Sequence, residues 1–382
     1  MSANSSPSRR KPRRPAPWSR RGRGSIPSRI DPAANGSIGS PLPAETSAHE
    51  QQLRVPVSLP GASFGGIVRH AGDAAGFVAA AEAAPATLPR LLAEAHGLLL
   101  VPGMGAMAGD AGLLLRLSRI FGPEVENYRE TGMAANMVHP EVPEIFVVSN
   151  TPPALRQPPA LPDPPLTAEG RLPVQFPHRR GWHTDQSYRR PPPDVSLFLG
   201  VLPAPQGQGQ TLFADGTAAY DALPPAMQAR IEGLDGLHVS SGHGRKRDAV
   251  LAGEVPKVLA PHQAPQRQPL VRLHPVTGRR ALYLCEYGQM DWLEGPIAGL
   301  EPGPHGAGGA LLTELMAHLT QPRFVYVHEW TEGDLVIWDN RCTIHAATWF
   351  DADRVRRIMW RTTVSGNPGP AYAGEAKSWI AA

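Results

Sequence analysis

The chain has 382 residues, 41% hydrophobic and 19% charged, which suits one large domain with a sizeable core plus appendages. Its net charge of +3 says nothing of a basic binding face: nine of the 37 basic residues fall in the first thirty positions with no acid among them, leaving 28 against 34 acidic elsewhere. No run approaches the roughly 20 apolar residues of a membrane span, and two cysteines in unrelated contexts, Cys285 and Cys342, exclude a disulfide framework and a zinc cluster.

Residues 1–45 are rich in Ser, Pro, Gly and Arg, with almost nothing to bury, and read as a disordered tail. A solvated extension is the leading reading. Weak contact with nucleic acid or another polyanion through the clustered arginines, or an organellar transit peptide, are the alternatives. Arg20 and Arg21 are followed by no apolar run, which argues against a twin-arginine signal. Residues 46–382 read as one domain, of cytoplasmic location by default.

Along that domain, a helix is expected near 87–96, then a strand over Leu98, Leu99, Leu100 and Val101. Asp110 is placed to cap a helix with Leu113, Leu114, Leu117 and Phe121 on one stripe. A strand over 145–148 precedes residues 151–178, too rich in proline for regular helix or central strand and read as a lid. Then come a strand over 195–199, a helix from Thr217 to Leu223, and a polar Gly/Pro-punctuated run over 239–268, expected as a second mobile lid. Residues 271–275 and 281–285 flank Thr277-Gly278 as a hairpin. Leu311, Leu312, Leu315, Met316 and Leu319 mark another amphipathic helix, and 324–328, 335–338 and 358–364 are late strands. The expected fold is α+β: a double-stranded β-helix, or jelly roll, with flanking helices.

His183 and Asp185 lie two residues apart, so on an extended segment both side chains project to one side. A second imidazole, His345, follows the turn at Asn340-Arg341 far downstream. Two imidazoles and one carboxylate bind a ferrous ion on one face and leave three adjacent positions for substrates. His328-Glu329 opens like a metalloprotease helix motif but lacks the second His, and Gly207-Gln208-Gly209 lacks the further Gly or Lys of a nucleotide loop.

Four blocks occur in order: residues 181–188 (Gly-Trp-His-Thr-Asp-Gln-Ser-Tyr), 207–213 (Gly-Gln-Gly-Gln-Thr-Leu-Phe), 338–345 (Trp-Asp-Asn-Arg-Cys-Thr-Ile-His) and 357–361 (Arg-Ile-Met-Trp-Arg). Together they resemble the taurine dioxygenase and 2,4-dichlorophenoxyacetate dioxygenase family of Fe(II)/2-oxoglutarate enzymes, with weaker likeness from about Phe64 to about Gly366. The resemblance implies Fe(II) held by His183, Asp185 and His345, with 2-oxoglutarate and O2 as co-substrates. It implies Thr211 and Arg357 as 2-oxoglutarate ligands, with adjacent Arg356 as the alternative to Arg357. A planar guanidinium suits a carboxylate because its fork makes two charge-assisted bonds. Asp185 argues against a halogenating relative, in which a small residue stands at the carboxylate position.

The expected reaction is hydroxylation of an unactivated C–H bond in a small, anionic organic substrate, with succinate and CO2 as co-products. Arg361, on the same strand face as Arg357, is a candidate for the substrate's acidic group. Asn127 falls where taurine dioxygenase has a sulfonate-contacting His, which argues against taurine itself; Tyr188, with Tyr128 and Arg179, flanks the expected mouth. Desaturation or biosynthetic oxidation of an amino-acid derivative remains an alternative, as does a non-catalytic iron or 2-oxoglutarate sensor. Relatives commonly form homo-oligomers, and the sequence leaves that state open.

Overall fold

The structure, a computed structural model, describes residues 53, 57–131, 133–159, 181–286, 288–365 and 378. The tail expected over 1–45 lies outside them. Side-chain alternation along the strands decides the architecture. In Val195–Leu202, Leu197 and Leu199 join one core while Phe198 joins another on the opposite face. Leu335–Asp339 divides likewise, with Leu335 and Ile337 on the first side and Val336 and Trp338 on the second.

These two strands pair antiparallel inside an eight-stranded sheet. Leu98–Val101 lies beyond Leu335–Asp339, and Ile358–Ser365 beyond Val195–Leu202. On the first side, helices Ala74–Ala83, Thr87–Glu94 and Ala111–Ser118 bury Phe77, Val78, Leu88, Leu91, Leu114 and Leu117 against the sheet. At roughly 1.5–3 kcal/mol for each large apolar side chain, this layer contributes on the order of ten kcal/mol before the entropy of ordering it. Asp73 and Asp110 start two of these helices by accepting the N–H of Gly76 and Gly112.

A second sheet has three antiparallel strands in the order Val325–His328, Thr211–Asp215, Thr343–Ala347. Leu212, Ala214, Ile344 and Ala346 share a core with Leu311, Leu312 and Leu315 of helix Ala307–Leu319. The opposite parity brings Phe213 together with Phe198, Val336, Trp338 and Met359, a thin apolar layer between the two sheets. Thr211 and His345 share the parity of Phe213 and therefore open onto this interior. The architecture is thus mixed α and β, with helices outside both sheets and the site between them.

Two expectations need correction. Residues 239–268, expected as a lid, are not irregular throughout: they carry helix Arg247–Leu251 and lead into strand Gln266–Pro269, paired with Asp235–His238. The polar character of that run serves an internal purpose, since the buried Gln268 amide donates to the carbonyls of Ser187 and Arg189. Phe121 falls beyond the helix that ends at Ser118, although it still packs on the same core. The hairpin Val271–Leu273 with Arg280–Leu282 forms around Gly278, whose φ of 67° suits glycine. Among the described residues, no helix is long and apolar enough to cross a membrane.

Candidate active site

Trp182 is buried in the core outside the small sheet, so the next residue points inward. His183 extends that sheet by one bridge: its N–H donates to the His345 carbonyl at 2.9 Å, and the His345 N–H donates back at 2.7 Å. The bridge sets the two imidazoles side by side, ring centroids 4.2 Å apart. Asp185, two residues on, brings Oδ1 to 3.9 Å from His183 Nε2 and 3.8 Å from His345 Nε2. One ligand atom from each of the three lies within 4.8 Å of the others.

The protonation states suit a divalent ion. His183 Nδ1 donates to the Gly181 carbonyl at 2.7 Å, leaving the Nε2 lone pair facing the centre. Burial lowers the pKa of His183, and burial together with His183 holds His345 well below its usual 6.5, so both rings are neutral near pH 7. Burial alone would raise Asp185, but Arg361 and the two imidazoles outweigh it and leave the carboxyl at about 2. Ligands about 2.1 Å from one first-row ion sit roughly 3–4 Å apart, close to the spacing of these three. The residues present therefore fit such an ion.

A buried network holds the carboxylate. Ser196 Oγ donates to Asp185 Oδ2 at 2.7 Å and accepts from Asn340 Nδ2 at 2.9 Å. Asn340 Oδ1 in turn accepts from Trp338 Nε1 at 2.9 Å and from the Asp185 N–H at 3.1 Å. With Oδ2 tied back in this way, Oδ1 is the oxygen presented to the imidazoles. Arg361 also donates to Oδ1, at 2.5 Å.

The triad opens onto a cavity of about 330 Å³. His183 and His345 line it, with Phe198, Trp338 and Phe350 among its walls and Arg156, Arg357 and Arg361 as its cations. Arg357 is 6% exposed, and its Nε has no hydrogen-bond partner among the described residues. Burial first, then the charge of Arg156, holds its pKa down to about 10. Gly209, at φ +60°, makes room for it: a Cβ there would meet Ala204 Cβ at 2.9 Å and Arg357 Nε at 3.3 Å. Thr211 also lines the cavity, its hydroxyl accepting from Trp330 Nε1 at 3.0 Å.

Of the other sequence candidates, Arg361 reaches the cavity and Arg356 is exposed outside it. Asn127 and Tyr188 are not among the described lining residues, although Tyr188 lies near enough to Arg361 and Asp185 to feel their charges. Asn127 closes a local turn instead, donating to Glu130 and accepting the Arg129 N–H. Tyr188 stacks beside Arg189, whose guanidinium lies 6.0 Å from the ring centroid. Tyr128 is buried with its hydroxyl 2.8 Å from Thr363 Oγ1, and Arg179 lies outside the described residues. Sequence reasoning missed Ser196, whose inward parity was readable from the strand alternation, and Arg156, which carried no signal within a proline-rich run.

Two other groupings are structural. His328 sits on a strand with its Nδ1 3.1 Å from the Tyr326 hydroxyl, not on a metalloprotease helix. His274, Asp339 and Cys342 also cluster within 4.8 Å, but Arg341 already clamps Asp339 with bonds of 2.8 and 2.6 Å. His274 completes that brace through Nε2, 2.9 Å from Asp339 Oδ2, while its Nδ1 accepts two backbone N–H groups.

Comparison with known proteins places this arrangement in a family. A sequence model described as "Taurine catabolism dioxygenase TauD, TfdA family" matches residues 72–363. The chain is similar to the alpha-ketoglutarate-dependent 2,4-dichlorophenoxyacetate dioxygenase of Cupriavidus pinatubonensis, 37% identical over 48% of this chain and 59% of that protein. It is similar to the pentalenolactone F synthase of Streptomyces arenae, 30% identical over 67% of this chain and 80% of the relative. A crystal structure of AAD-2 in complex with Mn(II) and N-oxalylglycine matches with a TM-score of 0.56 at 28% identity, covering 79% of this chain and 94% of that one. The chain spans about 60% of the length of the first of these relatives. With the family model covering the helical layer, the small sheet, most of the large sheet and the clustered His183, Asp185 and His345, the chain belongs to the TauD, TfdA family.

Proposed function

We propose that this protein is an Fe(II)- and 2-oxoglutarate-dependent dioxygenase that hydroxylates an unactivated C–H bond of a small organic anion and forms succinate and CO2. The observation that carries this reading is one cavity lined by two neutral imidazoles, with the Asp185 carboxylate clustered against them, and by a buried, under-bonded arginine together with a threonine hydroxyl. His183, Asp185 and His345 would hold the ion on one face and leave adjacent positions open. Bound iron supplies the oxygen activation and hydrogen abstraction that no side chain provides.

The remaining work belongs to the chain. Among the described residues the Arg357 guanidinium makes one hydrogen bond, 3.4 Å to the Gly209 carbonyl, so its other donors are available to the far carboxylate of 2-oxoglutarate. Because Thr211 Oγ1 accepts from Trp330, its own proton is free to point at the same carboxylate. Phe198, Trp338 and Phe350 give the cavity apolar walls that exclude water and restrict substrate poses. The solved relative holding Mn(II) and N-oxalylglycine supports pairing a divalent ion with an oxalyl carboxylate here. The relative named for 2,4-dichlorophenoxyacetate supports an organic acid as substrate. The facing sheets with the site between them support a double-stranded β-helix core; we further take the enzyme as cytoplasmic, residues 46–382 as the dioxygenase domain and 1–45 as an appended tail without a role in turnover.

Protein stripped of metal and supplied with Fe(II), 2-oxoglutarate and air is expected to form succinate slowly, and faster with an organic-acid substrate. Folded, iron-binding protein that forms no succinate would refute the assignment.

A further inference from the structure

Three guanidinium groups line the cavity, Arg156, Arg357 and Arg361, and no carboxylate is among its described lining residues. Two of them already have work. Arg361 is held by Asp185, and Arg357 lies against Gly209 in the same cavity as Thr211. Arg156 differs: among the described residues its guanidinium has no direct hydrogen bond or ion pair, lying 5.6 Å from the Phe146 ring centroid and feeling the Asp185 charge only at longer range. Arg361 overlies the same ring at 5.1 Å, and Arg156 is close enough to Arg357 to depress its pKa. Three like charges converging on one space are unfavourable unless an anion joins them.

Arg156 is exposed at the cavity mouth, yet its backbone is pinned. Its N–H donates to the Ser149 carbonyl at 2.7 Å, and Asn136 Nδ2 donates to the Pro153 carbonyl at 2.8 Å. The charge balance points the same way. With a divalent ion and a dianionic co-substrate in place, Asp185 and the three arginines leave a formal excess of two positive charges. The co-substrate alone does not neutralise the cavity.

We propose that Arg156 is a specificity-determining residue that takes the oxyanion head of a monoanionic organic substrate at the cavity mouth, leaving its apolar body between Phe198 and Phe350. This inference deepens the proposed function and rests on it. A carboxylate or a sulfonate each offers a guanidinium a single negative charge shared over oxygen acceptors, two in a plane for the first and three on a tetrahedral sulfur for the second.

The test uses full-length protein loaded with Co(II) and N-oxalylglycine, titrated with phenoxyacetate and with its neutral counterpart phenoxyacetamide. Hexanesulfonate in a parallel titration separates a sulfonate preference from a carboxylate preference. The expected result is one of the two anions binding about tenfold or more tighter than the amide, the worth of one charge-assisted hydrogen bond. Arg156→Gln should bring that preference to within about twofold, and Arg156→Lys should restore part of it. N-oxalylglycine affinity should stay within about twofold of the parent in both variants. An unchanged preference in Arg156→Gln, equal binding of anion and amide, or binding of none of the probes overturns the proposal. So does loss of N-oxalylglycine affinity in Arg156→Gln, which would assign the residue to the co-substrate. Parent protein that binds no N-oxalylglycine fails the dioxygenase reading itself, and the proposal falls with it.

Discussion

Replacing Asn340 by alanine should damage stability and metal binding together. Asn340 is fully buried, and its amide is the hub of the network behind Asp185. Oδ1 accepts from Trp338 Nε1 at 2.9 Å, the Asp185 N–H at 3.1 Å and Thr184 Oγ1 at 3.2 Å, while Nδ2 donates to Ser196 Oγ at 2.9 Å. The Thr184 hydroxyl keeps a second acceptor, the Asn340 carbonyl at 2.8 Å. The Trp338 and Asp185 donors keep none, and each stranded buried donor costs about 1–3 kcal/mol. With the small void added, Asn340→Ala should lose about 3–5 kcal/mol of unfolding free energy. That is a large share of the roughly 5–15 kcal/mol that a domain has. Ser196, released from Nδ2, should hold Asp185 Oδ2 less firmly, and losing such a supporting partner typically costs about 10–100-fold in metal affinity. Urea unfolding of the metal-free protein, followed by tryptophan fluorescence, measures the first effect; Mn(II) titration followed by electron paramagnetic resonance measures the second. Ser196→Ala helps to separate them: it removes the bond to Asp185 Oδ2 and strands one buried donor, Asn340 Nδ2, in place of two, so it should cost about 1–3 kcal/mol, less than Asn340→Ala, while still weakening Mn(II). A loss below about 1 kcal/mol in Asn340→Ala, with Mn(II) affinity unchanged, would show that the network does not position the carboxylate.

The remaining predictions concern acid sensitivity and the roles of single residues. Burial holds His238 down to about 3 from its usual 6.5, so the unfolded chain binds one more proton than the folded one across that window. Stability present above pH 6.5 should fall as pH drops toward 3, by about 1.4 kcal/mol per unit from this group. Urea melts of wild type should lose about 2 kcal/mol more than those of His238→Gln between pH 6.5 and 5, and equal slopes would contradict the assignment. Arg357→Gln should raise the KM for 2-oxoglutarate by about tenfold or more while leaving Mn(II) affinity near the parent value; a KM unchanged in steady-state assays would return the role to Arg356. Asn127→Ala, outside the described cavity lining and bonded within its own turn, should leave kcat/KM within about twofold, and a larger fall would place that turn in the site.

Much of the site was legible because its signals are local and carry chemistry. The two-residue spacing of His183 and Asp185 needs only an extended backbone to put both groups on one side, and His345 lies in a strand whose alternation is plain in Thr343–Ala347. Arg357 and Arg361 share a face for the same reason. What the sequence did not disclose depends on long-range register. Ser196 meets Asp185 only because Val195–Leu202 pairs with Leu335–Asp339, and Asn340 becomes a hub only once Trp338 and Thr184 close around it. Within residues 239–268, polar, glycine-punctuated composition hid one buried side chain, Gln268, whose amide donates to the Ser187 and Arg189 carbonyls. Asn127 was placed by analogy of position and not by its own bonding, which closes a turn.

The central claim is that His183, Asp185 and His345 hold iron with 2-oxoglutarate bound beside it. The most direct measurement is the visible absorption of metal-free protein under argon, given Fe(II) and then 2-oxoglutarate. The account predicts a metal-to-ligand charge-transfer band on addition of 2-oxoglutarate, absent in His183→Ala and requiring more 2-oxoglutarate in Arg357→Gln. Folded protein that binds Fe(II) yet shows no band at saturating 2-oxoglutarate would contradict it.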